Sequence, residues 1–280
     1  MIEVAPLRYG VIFKKAFSKP HIFTAFVRDI LGIEIEIDTV ETEKSFSPIV
    51  GNVDSRFDLF ALDKKNRLII DIQHKRYQDH YDRFLHYHCV ALIEQITSSA
   101  NYKPDMQVYT IVVLTSGDKH KTDISITDFS PKKLDGTSIA ETEHKIVYIC
   151  PKYVTDETPE PHQEWLKAIN DSLDKQVEES DYQNDVIQEV FSLIKKDKIS
   201  PQEYARMKDE YSDEEYMQEQ TQKAIKQGRK EGMEKGREEG REEGVSMIVK
   251  NMKKAKVSIE TIMEMTGLSK EQIENLLNVM

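Results

Sequence analysis

Two strand-length apolar segments, each carrying one aspartate, constrain the fold of this 280-residue chain more than any other feature. Residues 56–62 and 67–73 are separated by the polar residues 63–66, and this pattern predicts a β-hairpin. A hairpin loop of two residues and one of four residues give the same register, and both place Asp58 directly opposite Asp71. A loop with an odd number of residues separates the two carboxylates. An even loop therefore predicts an acidic pair inside a sheet.

The acidic pair predicts a cation site. Directly opposed residues have Cβ atoms about 4.5–5.5 Å apart, where like charges destabilise a sheet. A divalent cation between Asp58 and Asp71 removes this repulsion, and carboxylate oxygens suit Mg²⁺. Gln73 lies two residues beyond Asp71, so it is expected on the same face. The alternative is that the aspartates are merely solvated or form turns, but their positions within apolar strands favour the site.

The rest of the first half alternates predicted helices with predicted strands. Apolar residues at intervals of three and four predict a helix that ends at Gly32, and residues 33–40 alternate like a half-buried strand. A helical pattern covers residues 77–98. Residues 108–115 and 145–150 are strongly apolar and predict two further strands.

The second half of the chain is more acidic, and its apolar residues occur only at helical spacing. We therefore predict a compact domain over residues 1–180, an acidic helical linker over residues 181–222 and a helical association module over residues 223–280. The compact domain is expected to fold, and to be monomeric, without the tail.

The tail contains the one clear internal repeat, in which glycine recurs at every fourth position: Gly228, Gly232, Gly236, Gly240 and Gly244. Each glycine inside a helix costs about 1 kcal/mol relative to alanine, and four-residue ion pairs return only about 0.2–0.5 kcal/mol each. Close approach of a second helix along the glycine row would offset this cost, so we predict a homo-oligomer formed through the C-terminal helices. The alternative is a flexible charged linker.

Two short helices are predicted after the glycine repeat. Ser258 and Ser269 are suitable N-caps, Gln272 completes a capping box with Ser269, and Gly267 is placed to end the first helix. The pair resembles a helix-turn-helix in outline. Its second helix is too acidic to read bases, so a packing module is the better interpretation.

One polar stripe on the predicted helix of residues 77–98 and the residues just before it is suited to phosphate contacts. Its members recur at intervals of four, three and four residues: Arg76, His80, Arg83 and Tyr87. Such contacts would position DNA without reading its sequence. The equally weighted alternative is that Arg83 pairs with Asp79 or Asp82 and that Tyr87 packs in the core.

The formal net charge of −11 argues against a protein that coats nucleic acid by bulk electrostatics. Any contact with DNA must come from a local basic patch. The two cysteines suggest small core residues rather than a disulfide framework, and neither a signal peptide nor a membrane-spanning run is evident. The expected location is the cytoplasm.

Asp58 and the sequence Asp71-Ile72-Gln73 together resemble the D…(D/E)-x-(K/Q) signature of the PD-(D/E)XK nucleases. More specifically, the chain is similar to the recombination-promoting nuclease and transposase family. The similarity extends to residues 13–17 (FKKAF), to the Gly-Arg-Glu-Glu-Gly repeats and to residues 266–269 (TGLS). It covers most of the chain, and the combination of motifs is specific.

The resemblance implies an α/β, restriction-endonuclease-like core, in which helices flank a central mixed sheet, with an all-helical C-terminal tail. It also implies a Mg²⁺-dependent DNA endonuclease. Asp58 and Asp71 would hold the metal, helped by the carbonyl of Ile72, and the metal would polarise the phosphate and activate a water. Gln73 would complete the catalytic set.

Two positions depart from the family pattern. Gln73 stands where many nucleases of the superfamily have lysine, although this family commonly carries glutamine there, and Gly10 stands where relatives often have aspartate. A neutral amide can orient a water but supplies no positive charge. Lys75, two residues further on, is a possible auxiliary cation. The alternative function is a weak or inactive nuclease-fold protein that binds DNA or a protein partner through its tail; the presence of both Asp58 and Asp71 favours the enzyme.

Overall fold

The computed structural model describes residues 1–46, 54–74, 80–96, 102–139 and 141–278, and for residues 213–222, 224, 242 and 278 it describes the backbone alone. The strands are β1 (Ile2–Glu3), β2 (Glu41–Phe46), β3 (Ser55–Leu62), β4 (Asn66–Gln73), β5 (Gln107–Leu114), β6 (Ile124–Asp128), β7 (Lys145–Ile149) and β8 (Gln176–Val177). The α-helices are α1 (Gly10–Phe17), α2 (Pro20–Leu31), α3 (His80–Ile93), α4 (His162–Ser172), α5 (Asp185–Ile194), α6 (Pro201–Lys254), α7 (Ile259–Thr266) and α8 (Lys270–Asn278).

The central sheet of the described residues has six strands in the order β2-β3-β4-β5-β7-β6. The β2, β3 and β4 strands are antiparallel neighbours, β4, β5 and β7 run parallel, and β6 returns antiparallel to β7. The two most apolar strands, β5 and β7, lie inside the sheet, as expected for strands that are covered on both faces. The sheet is therefore mixed, as the resemblance implied.

Helices cover both faces of this sheet. One face packs against α1, α2, α4 and α5 around an aromatic cluster in which Phe17 and Phe26 both contact Trp165. The opposite face packs against α3 through a second cluster that includes Phe57, Phe60 and Tyr148. Each fully buried large apolar side chain contributes about 1.5–3 kcal/mol, so these two layers hold the sheet in place.

The prediction of a strand over residues 33–40 is wrong. The strand that pairs with β3 is β2, which begins at Glu41. Ile35 is nevertheless buried, and Ile33 and Ile37 pack against the same core from a segment without ladder hydrogen bonds. Alternating burial was read correctly from the sequence, but a segment can bury alternate residues without joining a sheet.

The compact unit is longer than the segment 1–180 predicted from the sequence. It extends over Met1–Tyr211, and Ser212–Met280 forms a second unit. The α5 helix, which falls in the predicted linker, buries Ile187, Phe191 and Ile194 completely in the main core. Their spacing of four and three residues is that of an amphipathic core helix. The acidic residues around α5 belong to its solvated face.

The second unit contains the remainder of α6 with α7 and α8. Val249, Ile262 and Ile273 are fully buried in a small core made by these three helices. The predicted caps are confirmed, because Ser258 accepts a hydrogen bond from the N–H of Thr261 and Ser269 forms a reciprocal capping box with Gln272. In the described residues, no helix combines the length and apolar content needed to cross a membrane.

The repeated glycines all lie inside α6. A Cβ atom built at any of the five would meet no heavy atom within 4 Å outside its local helix backbone, among the residues that the structure describes. The close helix approach that would offset their cost is therefore not made by another described segment of the same chain.

Candidate functional site

The hairpin has the predicted register. Its loop contains four residues, and its Cα partners run from Leu62↔Arg67 to Leu59↔Ile70. Asp63 stabilises the turn by accepting hydrogen bonds from two N–H groups within the loop. The regular ladder stops one residue short of the aspartates.

Beyond Leu59 and Ile70, hydrogen bonds from the backbone to side chains replace the backbone–backbone ladder. The N–H of Asp58 donates to Oδ1 of Asp71 at 2.8 Å, and the N–H of Ile72 donates to Oδ2 of Asp58 at 3.0 Å. Each carboxylate therefore binds the backbone of the opposite strand. The strand also departs from strict alternation here, since Phe57 and Phe60 pack in the same core cluster. The two aspartates are brought together between separating strands rather than as a regular cross-strand pair.

Asp71 and Gln73 share one face of the sheet. Their partners on the parallel strand β5 are Val112 and Leu114, which belong to the core cluster beneath α3. Parallel partners direct their side chains to the same face, so Asp71 and Gln73 both point towards that layer. Both residues are buried. The spacing of two residues thus placed them correctly relative to each other.

Burial dominates the electrostatics of Asp71. It raises the pKa of Asp71 well above its usual range, and the neighbouring Asp58 carboxylate raises this pKa further. The hydrogen bond from Asp58 and the charges of Arg83 and Lys14 oppose these effects. Oδ2 of Asp71 is buried and has no hydrogen-bond partner among the described residues. A buried oxygen of this kind is costly unless something binds it.

The donor set around Asp71 fits a hard divalent cation. Besides Oδ2 of Asp71, the Asp58 carboxylate lies next to it, and the carbonyl of Ile72 is directed to the same side as the N–H that binds Asp58. The described residues contain no group of three or more His, Cys, Asp or Glu placed to hold a metal. Mg²⁺ usually takes only one or two carboxylates and completes its shell with water and phosphate oxygens, so two carboxylates are sufficient.

Lys14 is a site residue that the sequence analysis did not single out. Its Nζ lies 3.4 Å from Oδ1 of Asp58 and also binds Glu43. Burial alone would lower the pKa of Lys14, but the carboxylates of Asp58 and Glu43 outweigh it and the net shift is upward. Lys14 therefore carries a full positive charge beside the aspartates. Only its place in the FKKAF motif marked it in the sequence.

Glu43 holds Lys14 from the neighbouring strand β2. Thr42 pairs with Leu59, so Glu43 lies opposite Asp58, and it binds both Lys14 and Arg56. Its backbone has a φ of 58°, a left-handed conformation that costs a non-glycine residue about 1–3 kcal/mol and is found preferentially at functional sites. Burial raises the pKa of Glu43, but its two cationic partners lower it by more.

A fourth acidic residue reaches this region from α6. Glu210 accepts hydrogen bonds from the N–H groups of Gly10 and Val11, at 2.9 and 3.4 Å, at the positive end of α1. A Cβ atom at Gly10 would lie 3.7 Å from the Glu210 carboxylate and 3.5 Å from Nζ of Lys14. A residue distant in sequence thus places a carboxylate beside residue 10. Burial raises the pKa of Glu210 despite these hydrogen bonds.

The described residues include three of the four members of the predicted phosphate stripe. Arg83 is exposed on α3, donates to the Tyr87 hydroxyl at 3.3 Å and lies close enough for its charge to lower the pKa of Asp71. Tyr87 is buried in the core, as the alternative interpretation expected, and His80 is buried too. Arg76 lies outside the described residues, as does the possible auxiliary Lys75.

One further basic residue lies close to the end of β4. His74 binds the Thr115 hydroxyl at 2.8 Å, and burial, with the charge of Arg8, lowers the pKa of His74 to about 4. His74 is therefore neutral near pH 7. Two described cations, Lys14 and Arg83, act on Asp71, and they come from distant parts of the chain.

A mixed sheet flanked by helices, with an acidic pair where two hairpin strands separate, defines an α/β core of the PD-(D/E)XK type. A family model described as "PD-(D/E)XK nuclease family transposase" matches residues 9–227, and the chain belongs to this family. The matched region includes the hairpin, α1 and the part of α6 that carries Glu210. Among curated proteins, no sequence matches the chain.

Proposed function

We propose that the protein is a Mg²⁺-dependent DNA endonuclease that hydrolyses phosphodiester bonds with a metal-activated water. The observation that carries this proposal is Oδ2 of Asp71, which is buried beside the Asp58 carboxylate without a hydrogen-bond partner among the described residues. Burial of a carboxylate oxygen next to a second acid destabilises the folded protein unless a ligand binds there. Family membership supports nuclease chemistry, and DNA is the proposed substrate.

In this proposal the chain's own residues bind the cation, orient the attacking water and exclude bulk solvent. Asp58 and Asp71 would hold the cation together with the carbonyl of Ile72. When bound, Mg²⁺ would supply Lewis-acid polarisation of a phosphate and a water of lowered pKa. The Gln73 amide would orient a water at the site, and the buried setting of Asp71 and Gln73 limits the access of bulk water. Arg83 on the exposed face of α3 contacts a neighbouring phosphate and positions the DNA.

We also propose that the tail assembles the protein into a homo-oligomer. The open side of the glycine row in α6 supports this, because the cost of five helical glycines is offset only by close contact with another helix. The buried core of α7 and α8 against the end of α6 supports a tail that folds as a module. The nuclease domain and the association module would then have separate roles.

The test of the nuclease proposal uses the full-length protein, supercoiled plasmid and a Mg²⁺ titration. Nicked and linear products are expected to increase with Mg²⁺ and to disappear when Mg²⁺ is chelated. Ca²⁺, which occupies oxygen sites but rarely supports hydrolysis, is expected to allow DNA binding without cutting. Cleavage that is equally fast in chelator would exclude the proposed metal dependence.

A second candidate function is a nuclease-fold protein that binds DNA or a partner without cutting it. The observation that favours this function is the neutral Gln73 at the motif position where many nucleases of the superfamily have a cation. DNA binding that survives in Ca²⁺, together with an absence of cleavage at every Mg²⁺ concentration, would support it over the endonuclease.

A further inference from the structure

The ammonium group of Lys14 contacts a carboxylate of the acidic pair. Its Nζ lies 3.4 Å from Oδ1 of Asp58, the side chain is only 19% exposed, and its other partner is Glu43. Its charge also lowers the pKa of Asp71. A surface ion pair would contribute little to stability, whereas a cation held beside two acids strongly changes the local field.

The proposed reaction requires a positive charge that the motif itself does not provide. The phosphate oxygens gain negative charge as water adds and the sugar oxygen leaves, and a fixed cation stabilises that charge. Gln73 is neutral. We propose that Lys14 supplies this charge, from α1 rather than from the hairpin; this inference rests on the nuclease function proposed above.

Lys15 is the contrast within the same helix. It binds Glu203 at 2.9 Å and the carbonyl of Lys198 at 2.6 Å, so its charge attaches α1 to the first turn of α6 and to the residues just before it. Lys14, one residue earlier, has both of its carboxylate partners at the hairpin site. Two adjacent lysines of similar exposure therefore have different roles, and Lys15 provides a matched control.

Two features hold Lys14 in place. Glu43 binds it from β2 with a left-handed backbone conformation opposite Asp58. Glu210 accepts the two N–H groups at the start of α1, one turn before Lys14. A cation held by Asp58 would compete with Lys14 for that carboxylate, and Glu43 would keep the ammonium beside the aspartate pair. Lys14 would thus be a neighbour of the cation and not one of its ligands.

The test compares Lys14→Gln, Lys14→Arg and the control Lys15→Gln in the full-length protein. Loss of a charged group that contacts the reacting phosphate typically lowers kcat by about 10²–10³-fold. We expect this loss for Lys14→Gln, partial recovery for Lys14→Arg and a change within about twofold for Lys15→Gln. Mn²⁺ binding, measured by isothermal titration without DNA, is expected to be unchanged or tighter in Lys14→Gln, because a competing positive charge is removed.

Each outcome decides the matter. Lys14→Gln that cuts as fast as the wild type overturns the assignment of Lys14 and leaves the nuclease proposal intact. Lys14→Gln that binds Mn²⁺ much more weakly shows that Lys14 shapes the site structurally, which also overturns it. Thermal unfolding identifies a folding defect, and in that case Lys14→Arg, which keeps the charge, decides: no recovery of cutting overturns the role. A wild-type protein that cuts nothing overturns both proposals together.

Discussion

The hairpin and the glycine repeat of α6 are the two most unusual parts of this sequence, and the structure accounts for them differently. In the hairpin, Oδ2 of Asp71 is buried without a hydrogen-bond partner among the described residues, while Oδ1 of Asp71 and Oδ2 of Asp58 each accept a hydrogen bond from the backbone of the opposite strand. In the tail, no described neighbour packs on the glycine row. We propose that a small ion completes the hairpin site, whereas another protein surface covers the glycine row of the tail.

The largest expected effect concerns the hairpin. Asp71→Asn should reduce Mg²⁺-dependent cleavage by at least about 10³-fold, since it removes the charge that holds the cation. The melting temperature should stay the same or rise, because asparagine can still accept from the N–H of Asp58 and no longer buries a charge. Asp174→Asn, an exposed change in the turn after α4, should leave both quantities unchanged. Cleavage by the mutant at the wild-type rate would show that the activity does not come from this site.

Truncation separates the two regions. A chain ending at residue 222 should remain folded, retain nuclease activity and lose self-association. A chain ending at residue 180 should fail to fold, because it loses α5 and leaves a large apolar surface uncovered where Phe191 and Ile194 were fully buried. Circular dichroism and light scattering measure both effects. A folded, cooperative 1–180 fragment would show that α5 is not part of the compact unit.

The pH dependence of stability tests the core beneath α3. His88 is fully buried on the Thr110 hydroxyl, and burial, with the nearby His144, lowers the pKa of His88 to about 3. The unfolded chain, with a pKa near 6.5, therefore binds more protons between these values, so the free energy of unfolding should fall as pH drops below 6.5. The expected loss is on the order of 1–2 kcal/mol at pH 5.

Denaturant unfolding at pH 5 and pH 8 measures this difference. His88→Gln should flatten the pH dependence, although it lowers stability at neutral pH, and the exposed His86→Gln on the same helix should not. An unchanged slope in His88→Gln would assign the effect to other groups, among which His74 and His144 also have lowered pKa values.

The smallest expected effect concerns the glycine row. Gly236→Leu should weaken self-association about tenfold, which corresponds to about 1.4 kcal/mol, because a large side chain separates the facing backbones. Gly236→Ala is the control, since it raises helix propensity while it keeps the side chain small. Light scattering over a concentration series measures both. A full-length protein that is monomeric, like the tail-deleted chain, would make the glycine row a linker only.

The sequence predicted those parts of the site that depend on local spacing. Loop parity determined the hairpin register, and a separation of two residues placed Asp71 and Gln73 on one face. Local spacing does not show where a ladder ends. The β3 and β4 strands separate at Asp58, and both carboxylates lie between them. At the same point Phe57 and Phe60 pack in one core cluster, which interrupts the alternation of β3.

Contacts between residues far apart in the chain could not be predicted from a single sequence. Lys14 meets Asp58 across 44 residues and Glu210 meets Gly10 across 200, and no periodicity connects such positions. The second half of the chain shows the same contrast between local motifs and tertiary packing. Its caps at Ser258 and Ser269 were predicted from local motifs, while the role of α5 in the core depended on tertiary packing and was missed.

The most direct test of the hairpin as a cation site is a crystal structure of the protein grown with Mn²⁺, with anomalous scattering used to locate the metal. The proposed site predicts one strong anomalous peak bridging the carboxylates of Asp58 and Asp71, at about 2.0–2.3 Å from their oxygens, and no such peak in Asp71→Asn. An anomalous map without a peak between these two carboxylates, at a Mn²⁺ concentration that supports cleavage, would contradict the account.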